Sequence, residues 1–411
     1  MPIFPKSARR YLLPIALLTL SLGADCAQAQ SGGGRGAAPA GPIPEGDVNA
    51  LIKQEGLVES AKTAKEMTPG GWVKPKMMLV AIDRPERLAW LQSAVPDVKL
   101  VGVYQRGTLA EKEAEVAPYI ADADALVHVA PNVLCTANNI KAAKKLKWIH
   151  DLEAGAEFCI NLPEVKAGKF LFSDGQKLWS ESVADNTIAM MVALMRGTDL
   201  FVRMDMDQTI KQPAFGGRGW EIQGRTLLVV GLGGIGTDVA SMAHGLGMKV
   251  IATRNSSHEG PAYVDYVGLA NELPDLIGKA DVVAMLTPVT PETTGVFNAA
   301  MFARMKRGAI FIDVTRDEHW VKSDLIAALK SGQVGAAGLG ITTPEGIPDH
   351  DPLFSAPNVI IETHGGAPAA PAEGTTDPTT DVKGWLVTRE NMRRYANGEK
   401  MLSLVDPARG Y

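Results

Sequence analysis

"LLVVGLGGIGTDVASMAHGLGMKV", residues 227–250, is the stretch that decides the fold. It places Gly231, Gly233 and Gly236 in a G-x-G-x-x-G pattern between an apolar run typical of a buried strand and an amphipathic helical pattern. The first glycine suits a tight turn, the second lets the backbone approach a pyrophosphate, and the third lets the helix pack closely on the strand. The stretch therefore predicts a dinucleotide-binding βαβ unit, with the pyrophosphate at the helix N-terminus.

Apolar runs on both sides of this unit alternate with helical patterns, which predicts parallel sheets. The series that contains the glycines has runs at 225–230, 249–253, 281–286, 309–314, 333–341 and 358–363, a six-strand count typical of a doubly wound fold. An earlier series has strand-like runs at 77–82, 98–104, 123–129 and 146–150, with helix-like segments at 85–94, 110–119 and 137–145. A long helical pattern at 182–207 could bridge the two series, and a last helix is expected at about 382–397.

Composition describes a mostly globular chain that is long enough for two domains. The protein has 411 residues, of which 46% are hydrophobic and 21% charged, and its formal net charge is −5. No basic run occurs beyond the N-terminus, so a nucleic-acid surface is not expected.

The N-terminus has the three-part layout of a secretory signal. Arg9 and Arg10 precede an apolar run at 11–24, and Ala27 and Ala29 occupy the small positions of a cleavage site. The run is shorter than a membrane-spanning helix needs, so export to the periplasm is expected, with an N-terminal membrane anchor as the alternative and no stable membrane insertion. The adjacent arginines suggest a twin-arginine signal, although two arginines also occur by chance in ordinary signals. Residues 31–46, rich in Gly, Pro and Ala, indicate a flexible tether.

Two cysteines, Cys135 and Cys159, remain after removal of the signal. They could pair in an exported protein, but two buried thiols are the expectation.

Arg254 lies at the end of the second strand, where a dinucleotide-binding protein usually has an acid that binds the ribose. A guanidinium there favours a 2′-phosphate, and Asn255 and Ser256 add donors without negative charge. NADP is therefore the expected cofactor. The alternative is an arginine that stacks beside adenine in an NAD enzyme.

Three chemically versatile residues follow three strands of the second series. These are Arg316, Glu345 and His364. Because ligands bind outside the carboxyl ends of parallel strands, the three are expected to meet in one cleft. An imidazolium can protonate a carbonyl oxygen near neutral pH, a carboxylate can orient it, and a guanidinium suits an anionic substrate.

The stretches "LVVGLGGIGTDVA", "ADVVAMLTPVTPETTGVFNAAMFARMKRGAIFIDVTR", "LIAALKSGQVGAAGLGITTPEGIPDHDPLF" and "NVIIETHGG" resemble the D-isomer-specific 2-hydroxyacid dehydrogenase family. The likeness covers about residues 77–411. It implies an α/β fold of two Rossmann-like lobes, with a doubly wound cofactor domain inserted in a flavodoxin-like substrate domain. The boundaries expected on this basis are a signal peptide at 1–29, a linker and N-terminal extension at 30–70, a substrate domain at 71–197 and 372–411, and a dinucleotide-binding domain at 198–371.

The resemblance also implies roles for individual residues. Arg316 would hold the substrate, His364 would be the acid/base, Glu345 would hydrogen-bond the histidine, and Ala154 with Gly155 would form the turn that binds the substrate carboxylate. The expected cofactor-binding residues are Gly231, Gly233, Gly234, Ile235, Gly236, Arg254, Asn255, Ser256, Thr287, Pro288 and Thr315.

Some residues depart from the family pattern. Asp317 replaces the glycine that usually follows the arginine, in a segment "DEHW" (317–320) where the family has small apolar residues. Gly340 stands where an aspartate is common, and Thr363 replaces the proline before the histidine. An aspartate beside Arg316 could weaken anion binding if it points inward, so these changes bear on the substrate.

The leading expectation is an NADP-dependent 2-oxoacid reductase of the glyoxylate/hydroxypyruvate type, with NAD possible. The alternatives are a nucleotide-sensing binding protein of the same fold without turnover, and a formate- or phosphite-type dehydrogenase, although Glu345 speaks against the formate type. The family implies a homodimer formed through the cofactor lobe. No metal is expected, because the potential ligands in "PDHDP" (348–352) are too close together in one loop.

Overall fold

The computed structural model describes residues 46–82, 85–104, 108–129, 134–152, 154, 157–206, 218–341, 347–363 and 379–407. Within them lie two parallel β-sheets and one short antiparallel pair of strands. The strands are β1 (Glu59–Thr63), β2 (Met77–Ile82), β3 (Lys99–Tyr104), β4 (Ala125–Val127), β5 (Trp148–His150), β6 (Leu171–Ser173), β7 (Thr226–Val230), β8 (Lys249–Arg254), β9 (Tyr266–Leu269), β10 (Val282–Met285), β11 (Ala309–Asp313), β12 (Val334–Ile341), β13 (Val359–Thr363) and β14 (Lys400–Leu402).

Helices connect these strands, as the alternating pattern predicts. They are α1 (Val48–Gln54), α2 (Ala64–Met67), α3 (Pro85–Gln92), α4 (Leu109–Val116), α5 (Ala137–Ala142), α6 (Glu157–Ile160), α7 (Pro163–Lys166), α8 (Ser180–Arg196), α9 (Thr198–Met206), α10 (Gly234–Gly245), α11 (Leu273–Leu276), α12 (Ala299–Arg304), α13 (Lys322–Lys330) and α14 (Thr379–Asn397). Short 3₁₀ turns occur at Ile120–Asp122, Ala270–Glu272, Ile277–Lys279, Asp317–His319 and Pro352–Ser355.

The first sheet is the core of the substrate lobe. Its strand order is β3-β2-β4-β5-β6, and every adjacent pair is parallel, which is the flavodoxin-like order. All six residues of β2 are buried because helices cover both faces of a parallel sheet. The flavodoxin-like expectation is therefore confirmed. The strand β6, with the sequence "LFS", was not predicted.

The second sheet is the core of the cofactor lobe. Its order is β13-β12-β11-β10-β7-β8-β9, all parallel, so the direction of winding reverses between β7 and β10. The expectation of a doubly wound sheet is confirmed, with seven strands rather than the six counted from the sequence. The additional edge strand, β9, reads "YVGL", and its first residue is exposed, so it lacks the apolar run of the other strands.

The predicted helix at 182–207 is two helices. Gly197 adopts a left-handed conformation (φ 69°) that ends α8, and α9 begins at the next residue. Met190, Met191 and Leu194 of α8 pack into the core beneath the cofactor sheet. The single bridging helix is therefore wrong, and α8 packs with the cofactor lobe.

The N-terminal extension is folded from residue 46 onward onto the C-terminal segment. Strand β1 pairs with β14, and Leu51 and Leu57 pack with Val387 of α14. In turn α14 buries Trp385 and Tyr395 against the substrate sheet. The predicted signal at 1–29 and all of the predicted tether at 31–46 except Gly46 lie outside the described residues.

A disulfide bond joins Cys135 to Cys159, with their Cα atoms 5.5 Å apart. The expectation of two buried thiols is wrong. Both residues are buried in the substrate-lobe core. Cys135 lies two residues before α5, and Cys159 lies in α6, so the bond joins these two segments. Among the described residues, no helix combines the length and the apolar character that crossing a membrane requires.

Candidate active site

The site lies at the carboxyl edge of the cofactor sheet. Because its strands are parallel, the segments that follow β7, β8, β10 and β11 all leave the sheet at this edge. They carry the predicted cofactor-binding residues Gly231–Gly236, Arg254, Thr287–Pro288 and Thr315. The reversal of winding between β7 and β10 opens a crevice where ligands bind in such sheets.

The glycine-rich turn is built as the sequence predicts. Gly231 has φ 104°, and a Cβ there would lie 2.7 Å from Cγ2 of Thr287 and 2.9 Å from the Leu286 carbonyl oxygen. A Cβ on Gly236 would overlap the Gly231 carbonyl oxygen, so only glycine lets helix α10 start this close to β7.

Space above the turn fits a dinucleotide. Gly233 is the N-cap of α10, and nothing lies within 4 Å of the position its Cβ would take. The first backbone N–H groups of α10 have no side-chain cap, and they carry the partial positive charge that binds phosphate. Gly234 and Ile235 begin the helix, and Gly234 packs against Ser180 of α8. These residues fit the pyrophosphate of a dinucleotide.

Arg254 ends β8 at the same edge. Its Nη1 donates to the Glu259 carbonyl at 3.0 Å, while Nε is buried without a hydrogen-bond partner among the described residues. Asn255 and Ser256 are exposed beside it. The backbone hydrogen bond leaves most of the guanidinium N–H groups available to an anion.

Arg316 is positioned by the carboxylate of Asp313. Oδ1 of Asp313 accepts hydrogen bonds from the backbone N–H groups of Thr315 (2.9 Å) and Arg316 (3.3 Å), and from the Thr315 hydroxyl (2.8 Å). These contacts fold the chain into a turn directly after β11. The residue that carries the guanidinium is therefore fixed to the end of a buried strand.

The Arg316 side chain reaches the substrate lobe. Its Nη1 donates to the Thr315 carbonyl at 2.7 Å, and its Nη2 lies 3.3 Å from Oε2 of Glu157, the first residue of α6. Both side chains of this ion pair are about a quarter exposed (26% each). Ala154, in the predicted substrate-carboxylate turn, is exposed just before α6. The contact thus joins the Arg316 turn to the start of α6, three residues after Ala154.

Comparison with known proteins shows the family of the chain. Residues 188–366 match the profile of the D-isomer specific 2-hydroxyacid dehydrogenase NAD binding domain. A glyoxylate reductase of Korarchaeum cryptofilum is 30% identical over 293 residues, which cover 70% of this chain and 84% of that protein. The chain belongs to the D-isomer specific 2-hydroxyacid dehydrogenase family.

Other relatives agree with this membership. A glyoxylate/hydroxypyruvate reductase B of Citrobacter koseri is 34% identical over 46% of this chain and 58% of its own length. The fold matches that of a D-isomer specific 2-hydroxyacid dehydrogenase from Xanthobacter autotrophicus, solved with NADPH and MES, at a TM-score of 0.66 and 22% identity, over 82% of this chain and 100% of that one. The protein is an NAD(P)-linked dehydrogenase of hydroxyacids, and its NAD binding domain includes residues 188–366.

Two of the predicted catalytic residues of this dehydrogenase, Glu345 and His364, lie outside the described residues, as does Gly155 of the carboxylate turn. The strands before them are described. Strand β12 ends at Ile341 and β13 at Thr363, and these two residues are paired partners in the sheet. Both strands therefore end at the same edge as β11, which precedes the Arg316 turn, and the roles of Glu345 and His364 remain predictions.

Gly340 shows why the family's aspartate is missing here. A Cβ on Gly340 would lie 2.9 Å from Cα of Val314 and 3.2 Å from its carbonyl oxygen. The backbone that leads to Arg316 thus occupies the space an aspartate side chain would need.

His319, in the "DEHW" segment, is a site residue that the sequence did not predict. It is completely buried, and its Nδ1 lies 3.0 Å from Oδ2 of Asp313. Burial lowers the pKa of His319, but the Asp313 carboxylate, the Pro288 carbonyl and Glu318 outweigh it and raise the pKa above its ordinary value. The segment was flagged as a departure, but no sequence signal links a histidine to a carboxylate six residues earlier at a strand end.

Buried titratable groups also lie in the substrate lobe. Burial, reinforced by Glu157, raises the pKa of Asp174 to about 7, although Oδ1 accepts a hydrogen bond from the Gln176 backbone. Burial lowers the pKa of His150 to about 3, and its two ring nitrogens bond the hydroxyls of Ser173 and Thr388. His150 is thus a neutral structural group, whereas Asp174 lies close enough to Glu157 to feel its charge.

The "PDHDP" loop has a structural role where it is described. The carboxylate of Asp351 accepts from the Leu353 backbone at 2.9 Å and pairs with Lys322 at 2.9 Å. In the part of the chain that the structure describes, no group of three or more His, Cys, Asp or Glu side chains could hold a metal ion.

Proposed function

We propose that this dehydrogenase is an NADP(H)-dependent reductase of small 2-oxo acids, of the glyoxylate/hydroxypyruvate type. One observation carries the proposal. The Arg316 turn stands at the carboxyl edge of the cofactor sheet and meets Glu157, three residues after Ala154 of the predicted carboxylate turn. A guanidinium between a dinucleotide cradle and a second lobe suits a small anionic substrate.

In this mechanism each residue has one task. The bound nicotinamide supplies the hydride for the carbonyl carbon. Arg316 and the backbone N–H groups of Ala154 and Gly155 bind and orient the substrate carboxylate, and His364 donates a proton to the carbonyl oxygen. Glu345 keeps the imidazole charged and oriented.

Arg254 supports the choice of NADP(H). It supplies a cation where NAD-specific proteins usually have an acid, and its exposed neighbours Asn255 and Ser256 are neutral donors. The Xanthobacter relative was solved with NADPH.

The test is turnover of a panel of 2-oxo acids with NADPH and with NADH. We expect the wild-type protein to oxidise NADPH with glyoxylate or hydroxypyruvate. In His364→Gln the rate of turnover should fall by roughly 10²- to 10⁴-fold, while NADPH still binds. His244→Gln, on the exposed last turn of α10, is the matched control and should keep wild-type turnover. A wild-type protein that binds NADPH but reduces no acid would favour the nucleotide-sensing alternative.

Export through a twin-arginine route is part of the same proposal. NADP is a cytoplasmic cofactor, so a chain that crossed the membrane unfolded would arrive without it. Arg9 and Arg10 stand before the modestly apolar run at 11–24, as a signal for folded cargo requires. Arg9→Lys with Arg10→Lys preserves the charge and should stop periplasmic accumulation. Unchanged accumulation would indicate general secretion instead.

A further inference from the structure

The "DEHW" segment, residues 317–320, connects two parts of the cofactor lobe. Its backbone lies beside residues 295–297, where Gly295 N–H donates to the Glu318 carbonyl at 2.8 Å and Phe297 N–H donates to the His319 carbonyl at 3.0 Å. Phe297 and Trp320 form a parallel bridge. The segment that replaces the family's small apolar residues is therefore fixed by backbone hydrogen bonds to the chain that follows Thr287 and Pro288.

The His319 side chain faces the opposite way, into the Arg316 turn. Its Nδ1 lies 3.0 Å from Oδ2 of Asp313 and 3.4 Å from the Thr315 hydroxyl. Its other nitrogen, Nε2, is buried and makes no hydrogen bond of good geometry among the described residues, although the Pro288 carbonyl lies near enough to the ring to favour its protonated form. The side chains of His319 and Asp313 are both 0% exposed, so their interaction is not screened by water.

The two carboxylate oxygens of Asp313 have different hydrogen-bond partners. Oδ1 holds the backbone N–H groups of Thr315 and Arg316, and Oδ2 accepts from His319. A completely buried carboxylate without a cation or donor on Oδ2 would be strongly destabilised. His319 thus compensates the charge of the carboxylate that shapes the Arg316 turn.

We propose that His319 is a positioning residue for the reaction, holding the Asp313 carboxylate so that it fixes the Arg316 turn, a proposal that rests on the substrate-binding role of Arg316 in the proposed function. The His319 side chain is completely buried. It acts through Asp313, and the backbone hydrogen bonds of its segment to residues 295–297 keep the imidazole in place.

The test uses His319→Leu, which removes the hydrogen bond and leaves the Asp313 charge buried and uncompensated. We expect the KM for the 2-oxo acid to rise roughly 10- to 100-fold, because a displaced Arg316 binds the carboxylate poorly. The Kd for NADPH should change much less than the KM, since the glycine-rich turn and Arg254 are untouched and Thr315 is the predicted cofactor-binding residue that lies in the loosened turn. A His319→Leu protein with wild-type KM would overturn the proposal.

A second variant separates positioning from misfolding. Asp313→Asn in the His319→Leu background removes the uncompensated charge, while the amide oxygen still accepts from the N–H groups of Thr315 and Arg316. We expect His319→Leu also to lower the melting temperature. In the double variant, both the KM and the melting temperature should return most of the way to their wild-type values. If the effects of His319→Leu and Asp313→Asn on KM and melting temperature simply added in the double variant, His319 and Asp313 would not be coupled as proposed.

Hydrogen–deuterium exchange gives a readout that does not depend on turnover. The amides of Thr315 and Arg316 should exchange faster in His319→Leu than in wild type, and should regain protection in the double variant. His244→Leu, at the exposed end of α10, is the control and should leave these amides protected. If the wild-type enzyme reduces no 2-oxo acid, the proposed function fails, and unchanged exchange in His319→Leu would separately refute the positioning role.

Discussion

Arg254 is held at the end of β8 by one hydrogen bond, from Nη1 to the Glu259 carbonyl. This bond fixes the direction of the side chain without neutralising its charge. The adjoining Asn255 and Ser256 add no negative charge. Cofactor choice in this protein is therefore expected to depend mainly on one guanidinium.

Replacing Arg254 with Asp should reverse this preference. A carboxylate would repel a 2′-phosphate and accept from a ribose hydroxyl, so the Kd for NADPH should rise by roughly 10- to 100-fold relative to that for NADH. Both constants can be measured by fluorescence titration. The control is Arg307→Asp, because Arg307 also donates to a backbone carbonyl, that of Ser331 at 2.9 Å, but precedes β11 at the other edge of the sheet. An unchanged NADPH/NADH ratio in Arg254→Asp would exclude Arg254 from ribose recognition.

Asp174 makes the stability of the substrate lobe depend on pH. Its pKa is about 7 in the folded chain and 3.8 ordinarily, so between these values the folded state holds a proton that the unfolded state has lost. The stabilisation from this proton is complete below about pH 3.8 and is lost as the pH rises through 7. The shift corresponds to at most on the order of 4 kcal/mol.

Asp174→Asn should remove this dependence. The amide oxygen can still accept from the Gln176 backbone, so the variant should gain stability relative to wild type as the pH rises from 5 to 8. Denaturant unfolding at several pH values measures this. Asp265→Asn is the control, because Asp265 is an exposed aspartate that also accepts a backbone N–H, from Val250 at 2.8 Å. Equal gains for both variants would contradict the assignment to Asp174.

The residues that the sequence predicted well are those whose role is local. Gly231 and Gly236 act within one strand–turn–helix unit, so their spacing alone indicates the crowding seen around them. Glu157 and His319 acquire their roles from Arg316 and Asp313 through tertiary contacts, and neither belongs to a local motif. The sequence around Glu157 and His319 therefore does not indicate which residues they contact.

At the scale of the element, apolar runs predicted most strands of the two parallel sheets, and the exceptions are β6 and β9. Strand β2 is buried along its whole length and reads "MMLVAI", whereas β6 has three residues and β9 contains a glycine. Helical periodicity continues through the junction of α8 and α9, so the break at Gly197 depends on one left-handed residue that periodicity does not detect.

The disulfide acts on an element, α6, which carries both Cys159 and Glu157. Replacing Cys135 and Cys159 with serine should lower the free energy of unfolding by about 3 kcal/mol, because a closed loop of this size restricts the unfolded chain. Urea unfolding of the variant and of wild type, each with and without dithiothreitol, provides the measurement. Reductant should destabilise wild type and leave the variant unchanged. A variant as stable as oxidised wild type would show that the bond contributes no stability.

At the scale of the whole molecule, the alternating pattern predicted two parallel sheets, and the family resemblance predicted their arrangement. The docking of residues 46–63 onto α14 and β14 was not predictable, because β1 reads "ESAKT" and is largely exposed. Its pairing depends on a partner more than three hundred residues away, which no local pattern reveals.

Assembly as a homodimer remains a prediction at this scale. The family resemblance implies an interface through the cofactor lobe, but Met190, Met191 and Met195 of α8 are buried in the chain's own core. Exposed apolar surface lies instead on α9, where Phe201 and Val202 are 49% and 56% exposed. We therefore expect a dimer interface that includes α9.

Light scattering of Val202→Asp tests this interface. Wild type should have twice the mass of one chain at micromolar concentration, and the variant should dissociate because a charge is desolvated in an apolar contact. Val73→Asp, at a valine that is 63% exposed in the substrate lobe, should remain dimeric. A monomeric wild type would exclude the dimer, and a dimeric Val202→Asp would place the interface elsewhere.

Under the proposed export, the stage at which Cys135 and Cys159 form their bond depends on whether the chain folds before or after it crosses the membrane. Glutathione and thioredoxin keep cytosolic thiols reduced, whereas the periplasm oxidises them. A chain that folds around its dinucleotide before crossing the membrane must first bury two thiols with their Cα atoms 5.5 Å apart, and the bond closes only afterwards. A chain that crosses the membrane unfolded would form the bond while it folds in the periplasm. Alkylation of cysteines in the cytoplasmic precursor distinguishes these two routes, because only a chain that folds before it crosses the membrane passes through a compact form with reduced thiols.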